Sequence, residues 1–145
     1  ISPRRGSSAA SDVYKRQGYL VVANGGGGIP VVETDTGVRG VEAVIDKDLG
    51  AYLLAVEVGA DLLIIATDVP QAVVRFGEPD AEPLGRLDPT EMRRLIPEGP
   101  FAQGSMGPKV EAVTRFAEAG GTGVITALDH LAEAAAGEIG TIVQT

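Results

Sequence analysis

No cysteine occurs in the 145 residues, so disulfides and thiolate metal sites are excluded. Tryptophan is absent too, and three tyrosines and three phenylalanines make up the whole aromatic complement. That is too few rings for a stacking platform that would hold single-stranded nucleic acid. No apolar run approaches the roughly 18 residues that cross a membrane. Positive charge is scarce: 12 Lys and Arg stand against 20 Asp and Glu, a formal net charge of -8. Such a field disfavours non-specific binding to nucleic acid or to an anionic membrane. Any anionic ligand must be held by a few local cations and backbone N–H groups.

What is present is a chain with 44% hydrophobic residues, enough for one globular core. A reducing cytoplasm fits the missing cysteine. Residues 1–17, ISPRRGSSAASDVYKRQ, are polar and aperiodic, and they lack the apolar stretch of a signal peptide. Within them SSAASDVYKRQ (Ser7 to Gln17) reads as an in-frame translation of a common transposase sequencing adapter. Residues 1–17 are therefore expected to be a non-native leader, with 18–145 as the folded part and the gene interrupted upstream of Gly18. Outside the leader only two lysines remain, Lys47 and Lys109, in a chain that otherwise uses arginine. A compact, mobile ammonium serves a different purpose from a planar guanidinium, so the location of these two matters.

Tyr19 to Ala23 is an apolar, β-branched run ending at Asn24 and four glycines, Gly25 to Gly28, which predicts a strand entering a tight loop. Val41 to Ile45 predicts a second strand. Leu49, Tyr52, Leu53 and Val56 follow at helical spacing, with Gly59 as the stop. Leu62 to Ala66 predicts a strand closed by Thr67-Asp68-Val69-Pro70, and Val73 to Phe76 a short strand before a turn. Asp88-Pro89 opens a helix to about Ile96. Gly104 to Pro108 leads into a helix with Val110, Val113, Phe116 and Ala117 on one face, ended by Gly120-Gly121. Gly123 to Ala127, Leu128 to Ala136 and Thr141 to Gln144 predict strand, helix and strand. The alternation implies an α/β fold, a three-layer αβα sandwich with a mainly parallel sheet and room for an antiparallel edge.

In such a sheet ligands bind at the carboxyl ends of strands. The polar loops expected there are Asn24 to Gly28, Asp46-Lys47-Asp48 and Thr67-Asp68. Gly104 to Lys109 adds a helix N-terminus, where free N–H groups and the helix dipole favour an anion. Each loop also has an ordinary structural reading. A glycine run makes a turn, Asp46 or Asp48 caps a helix, Asp68 caps a turn, and Met106 packs. There is no GxxxxGK[ST] loop and no GxGxxG spacing. His130 is given no role. Both remaining lysines falling in ligand-end loops points to phosphate handling.

The blocks ANGGGGIPVV (Ala23 to Val32), GVEAVIDKDLG (Gly40 to Gly50), LLIIATDV (Leu62 to Val69) and GPFAQGSMGPKVEAVTRF (Gly99 to Phe116) resemble carbamate kinases of the amino-acid kinase family. GEIGTIV (Gly137 to Val143) fits the C-terminal end of that family. The resemblance implies the nucleotide-binding C-terminal half of an amino-acid kinase-like fold. It implies reversible phosphoryl transfer between ATP and carbamate, giving ADP and carbamoyl phosphate, as in arginine breakdown. Mg²⁺ would be held mainly through the phosphates, with no protein metal site. By position, Lys47 and Lys109 resemble the phosphate-contacting lysines, and Asp48 the carboxylate that orients them. Thr67, Asp68 and Val69 resemble the nucleotide loop, with Met106 and Gly107 against base or ribose. Gly25, Gly26 and Gly27 would line the active centre. Most carbamate contacts and the interface of a homodimeric parent would lie in the half not present, so the chain alone is expected to be inactive. The alternatives are another amino-acid kinase, of the acetylglutamate or glutamate type, and a non-catalytic nucleotide-binding module.

Overall fold

The computed structural model describes residues 17–23, 25–96, 101 and 105–145. The expected leader therefore lies outside the described residues except for Gln17, as do Asn24 and Gly104. In chain order the elements are β1 (Val31–Thr34), β2 (Gly37–Gly40), α1 (Lys47–Glu57), β3 (Leu62–Thr67), β4 (Val73–Val74), β5 (Glu82–Pro83), β6 (Arg86–Leu87), α2 (Pro89–Leu95), α3 (Met106–Glu118), β7 (Thr122–Ala127), a 3₁₀ turn (Leu128–His130), α4 (Leu131–Ala135) and β8 (Thr141–Val143).

The main sheet has the order β3-β7-β8-β6. β3 and β7 run parallel from Leu62↔Thr122 to Thr67↔Ala127, and β6 is parallel to β8. β8 runs antiparallel to β7, with Val124 opposite Ile142. The expected αβα architecture holds, and the sheet is mixed: β3 and β7 run one way, while β8 and the edge strand β6 run the other, so two strands and not one make up the antiparallel side. The link from β7 to β8 carries a 3₁₀ turn and a five-residue helix, α4, which packs on the face of the sheet away from α3.

Strand alternation divides two faces. Leu63, Ile65, Ile125 and Val143 join the larger core with α1, α2 and α3, whereas Val124 and Ile142 pack with Ala134 of α4 on the other face. α3 is the central helix of the thick layer. Its Val110, Val113, Phe116 and Ala117 are buried, on the face predicted from their spacing. Two glycines let it approach the sheet closely. A Cβ on Gly121 would stand 2.3 Å from the Phe116 ring, and one on Gly123 would meet the Val113 carbonyl oxygen at 2.6 Å. α2 begins with a reciprocal cap: Asp88 Oδ1 accepts from the Glu91 N–H at 2.9 Å, and Glu91 Oε2 accepts from the Asp88 N–H at 3.1 Å.

Three expectations fail. Tyr19 to Ala23 forms no strand, and Leu20 and Val22 are exposed. Val41 to Ile45 forms none either. The pairing lies just upstream, where β1 and β2 make an antiparallel hairpin across Asp35-Thr36. The Val41 N–H bonds the Pro30 oxygen at the open end of that hairpin, and the chain then turns into the α1 cap. Consequently neither the glycine loop nor Asp46-Lys47-Asp48 follows a strand. The predicted helix 128–136 is split by its 3₁₀ start.

α2 and α3 are cross-linked at the surface. Arg93 reaches Glu111 at 2.6 Å and Glu118 at 2.8 Å, and Arg115 joins Glu111 at 2.5 Å. Burial pushes the Glu111 carboxyl up, but the hydrogen bonds from Arg115 and Arg93 outweigh it and hold it below its ordinary value. The Arg93 hydrogen bond does the same to Glu118. A lowered carboxyl pKa gives stability that is present above the unfolded value and lost as pH falls through the folded one. Acid titration followed by circular dichroism should therefore show the wild type losing more stability below about pH 4.5 than Arg93→Ala does. The difference at neutral pH should stay under about 1 kcal/mol, since these groups are solvent-screened. Gly123→Ala should cost about 1–3 kcal/mol in urea unfolding, because the added methyl meets α3 backbone.

Candidate functional site

The first turns of α1 and α3 lie side by side. Asp46 caps α1, its Oδ1 accepting from the N–H groups of Asp48 at 2.8 Å and Leu49 at 3.0 Å. That fixes the next two residues in opposite settings. The Lys47 side chain is 56% exposed, while Asp48 turns inward and is 6% exposed. From α3, Lys109 is 5% exposed and donates from Nζ to Asp48 Oδ2 at 2.8 Å. Lys47 Nζ stands 3.7 Å from the same oxygen. One carboxylate thus lies between both of the lysines outside the expected leader.

Lysine in the first turn of a helix opposes the helix dipole. At Lys109 the Asp48 carboxylate offsets that cost, and burial of the pair keeps the ammonium from swinging into solvent. The two helix starts differ in one respect. Asp46 occupies the first free N–H groups of α1, whereas Ser105, at the start of α3, makes no side-chain capping bond. Among the described residues, the α3 start and the exposed Lys47 are therefore groups left to receive an anion.

Beside this pair is a hollow of about 440 Å³. Lys47, Asp48 and Gly25 stand at its polar part, and Ala51, Leu54 and Ile64 are among its apolar wall. α1 and its C-cap contribute the wall at positions 51, 54, 55 and 58. Those residues follow from the helical spacing that starts at Lys47 and Asp48. Sequence reading missed them because they carry no chemistry of their own.

The other expected residues are placed as follows. Gly25 and Gly27 have positive φ, 28° and 144°, and a Cβ on Gly27 would sit 2.8 Å from the Ile45 oxygen. The loop therefore lies against the segment entering α1, with Gly26 between them. Thr67 ends β3 at the carboxyl edge and donates from Oγ1 to Asp68 Oδ1 at 3.0 Å, with Val69 next in the loop. Met106 packs on the larger core, as its ordinary structural reading had it. Gly107 faces the Phe101 carbonyl oxygen, which a Cβ would meet at 2.9 Å. Among the described residues no three His, Cys, Asp or Glu side chains come together as a metal site, and no helix is long and apolar enough to cross a membrane.

A buried lysine–carboxylate pair thus joins two helix starts of an α/β protein. Residues 5–127 match the amino acid kinase family, and the chain belongs to that family. It is 50% identical over 128 residues to a carbamate kinase of Thermococcus kodakarensis, covering 88% of this chain and 41% of that protein. A carbamate kinase of Thermoplasma volcanium is 45% identical over 129 residues, covering 88% and 42%. Among solved structures, carbamate kinase from Giardia lamblia bound to AMP-PNP superposes with a TM-score of 0.88 at 37% identity, covering 97% of this chain and 50% of that one. The chain thus spans about two fifths of the length of these curated relatives.

Removing Asp48 strands a buried ammonium. Asp48→Ala should cost about 3–5 kcal/mol in urea unfolding, and Lys47→Ala, at an exposed site, less than about 0.5 kcal/mol.

Proposed function

We propose that this chain is the nucleotide-holding part of a carbamate kinase, which transfers a phosphoryl group reversibly between ATP and carbamate. The observation that carries the reading is the Lys109–Asp48–Lys47 cluster at two adjoining helix starts. The carbamate kinase relatives and the superposition on an AMP-PNP complex support it.

The chemistry asks little of the protein. In the forward direction a carbamate oxygen, already anionic, bonds to the γ-phosphorus as the bond from that phosphorus to the β–γ bridging oxygen breaks. The electron pair leaves on ADP, and no proton has to be removed from the nucleophile. Catalysis then rests on positioning and on neutralising spread negative charge. Lys109, fixed by Asp48, supplies a charge that does not move. Lys47, exposed and only loosely tied to Asp48, can follow the phosphoryl group. The uncapped start of α3 offers backbone N–H groups to the phosphates. Thr67, Asp68 and Val69 form the loop toward the nucleoside, with Met106 and Gly107 at its border and Gly25 to Gly27 closing the centre.

Magnesium fits as an ion carried on the nucleotide phosphates, where it would add to the charge neutralisation. The nearest carboxylate, Asp48, is already shared by two ammonium groups and is poorly placed to bind it as well. Most carbamate contacts belong to the portion of the relatives that this chain does not span, so the chain alone is inactive in this reading. A homodimeric parent and a cytoplasmic location complete it.

Calorimetric titration of MgADP into the chain tests the proposal. Binding should weaken about tenfold or more in Lys109→Ala and several-fold in Lys47→Ala. A folded wild type that takes up no MgADP would overturn it. Binding indifferent to both lysines would instead favour a non-catalytic module.

A further inference from the structure

The segment 137–143, GEIGTIV, supplies no group to the cluster of lysines, yet its threonine is fully buried and uses its hydroxyl twice. Thr141 Oγ1 accepts the Ala72 N–H at 2.9 Å and donates to the Leu84 oxygen at 2.5 Å. Gln71 Nε2 donates to the same Leu84 oxygen at 3.1 Å and to the Gly140 oxygen at 3.4 Å. The Leu84 N–H returns to the Ala72 oxygen at 2.8 Å. Gly140, at φ 110°, brings the chain so close to β7 that a Cβ would stand 2.8 Å from the Ile125 oxygen. Ala72 and Leu84, which flank the β4–β5 hairpin, are thereby pinned to the start of β8.

The loop after β3 runs between two fixed points. Thr67 is held by its register with Ala127, and Ala72 is held by the Thr141 hydroxyl. Asp68 and Val69 lie on the four residues strung between them. We propose that Thr141 is the positioning residue of the nucleotide loop: its hydroxyl fixes the far end of Asp68–Gln71 and so sets where Thr67, Asp68 and Val69 meet the nucleoside. This rests on the reading of that loop as nucleotide-contacting. Valine has the same shape as threonine but no hydroxyl. In Thr141→Val the Ala72 N–H is left without its acceptor in a dry site, so this stretch of chain must shift to find water or another partner.

Two measurements on the full chain separate the claims. Amide hydrogen exchange and chemical shifts report the tether, and MgADP calorimetry reports its consequence. Thr141→Val should speed exchange at Ala72 and move the amides of Asp68, Val69 and Gln71 while those of β3 and β7 stay put, and the Kd for MgADP should rise about tenfold. Thr141→Ser, which restores the hydroxyl, should bind within about twofold of wild type. Gln71→Ala, at a half-buried site that does not threaten the core, should weaken binding about two- to threefold. The proposal is overturned if Thr141→Val binds MgADP like wild type. It is equally overturned if exchange rises evenly over β3 and β7 and serine restores nothing. A folded wild type that ignores MgADP defeats the nucleotide reading, and with it the consequence claimed for Thr141; the exchange data would then bear on the tether alone.

Discussion

Taking a lysine and a carboxylate out of water is costly for each, and here they are buried together. Lys109 and Asp48, 2.8 Å apart, tie the start of α3 to the start of α1. Neither is tolerable there alone. The pair converts an unfavourable lysine in a first helical turn into a fixed positive charge, and it places both helix starts near the carboxyl end of β3. Several local features build that junction. The Asp46 cap turns Asp48 inward and Lys47 outward, the small residues of α1 open the hollow, and Gly121 and Gly123 let α3 settle on β7.

Much of this was legible from residue types and spacing. The buried face of α3 followed from Val110, Val113 and Phe116, the cap of α2 from Asp88-Pro89, and the end of α1 from Gly59. Two lysines in an arginine-biased chain marked the candidate site, because only their placement among polar loops distinguished them. Their meeting at one carboxylate was not readable from the sequence alone, since 61 residues separate Asp48 from Lys109. The resemblance supplied that.

What was misread failed for physical reasons. Tyr19 to Ala23 has strand composition, but pairing depends on a neighbour, and composition does not name one. The β1–β2 hairpin went unseen because Asp35-Thr36 is a weaker hairpin signal than Asn-Gly or Asp-Gly. The direction of β8 and β6 is set by tertiary pairing, which strand composition does not encode. Thr141 escaped notice because a threonine in an apolar strand looks like ordinary β-branched filler, and only the register of β8 brings its hydroxyl to Ala72 and Leu84.

The central claim is that a nucleotide's phosphates sit at the joined starts of α1 and α3. Amide chemical-shift mapping of the isotope-labelled chain during MgADP titration tests it most directly. The account predicts that the largest shifts fall on Lys47 and Asp48, on Met106 to Lys109 leaving out Pro108, and on Thr67 to Val69, with the hairpin 31–40 unmoved. Saturable shifts centred elsewhere, such as the hollow around Arg86 and Gly137 on the other face of the sheet, would contradict it.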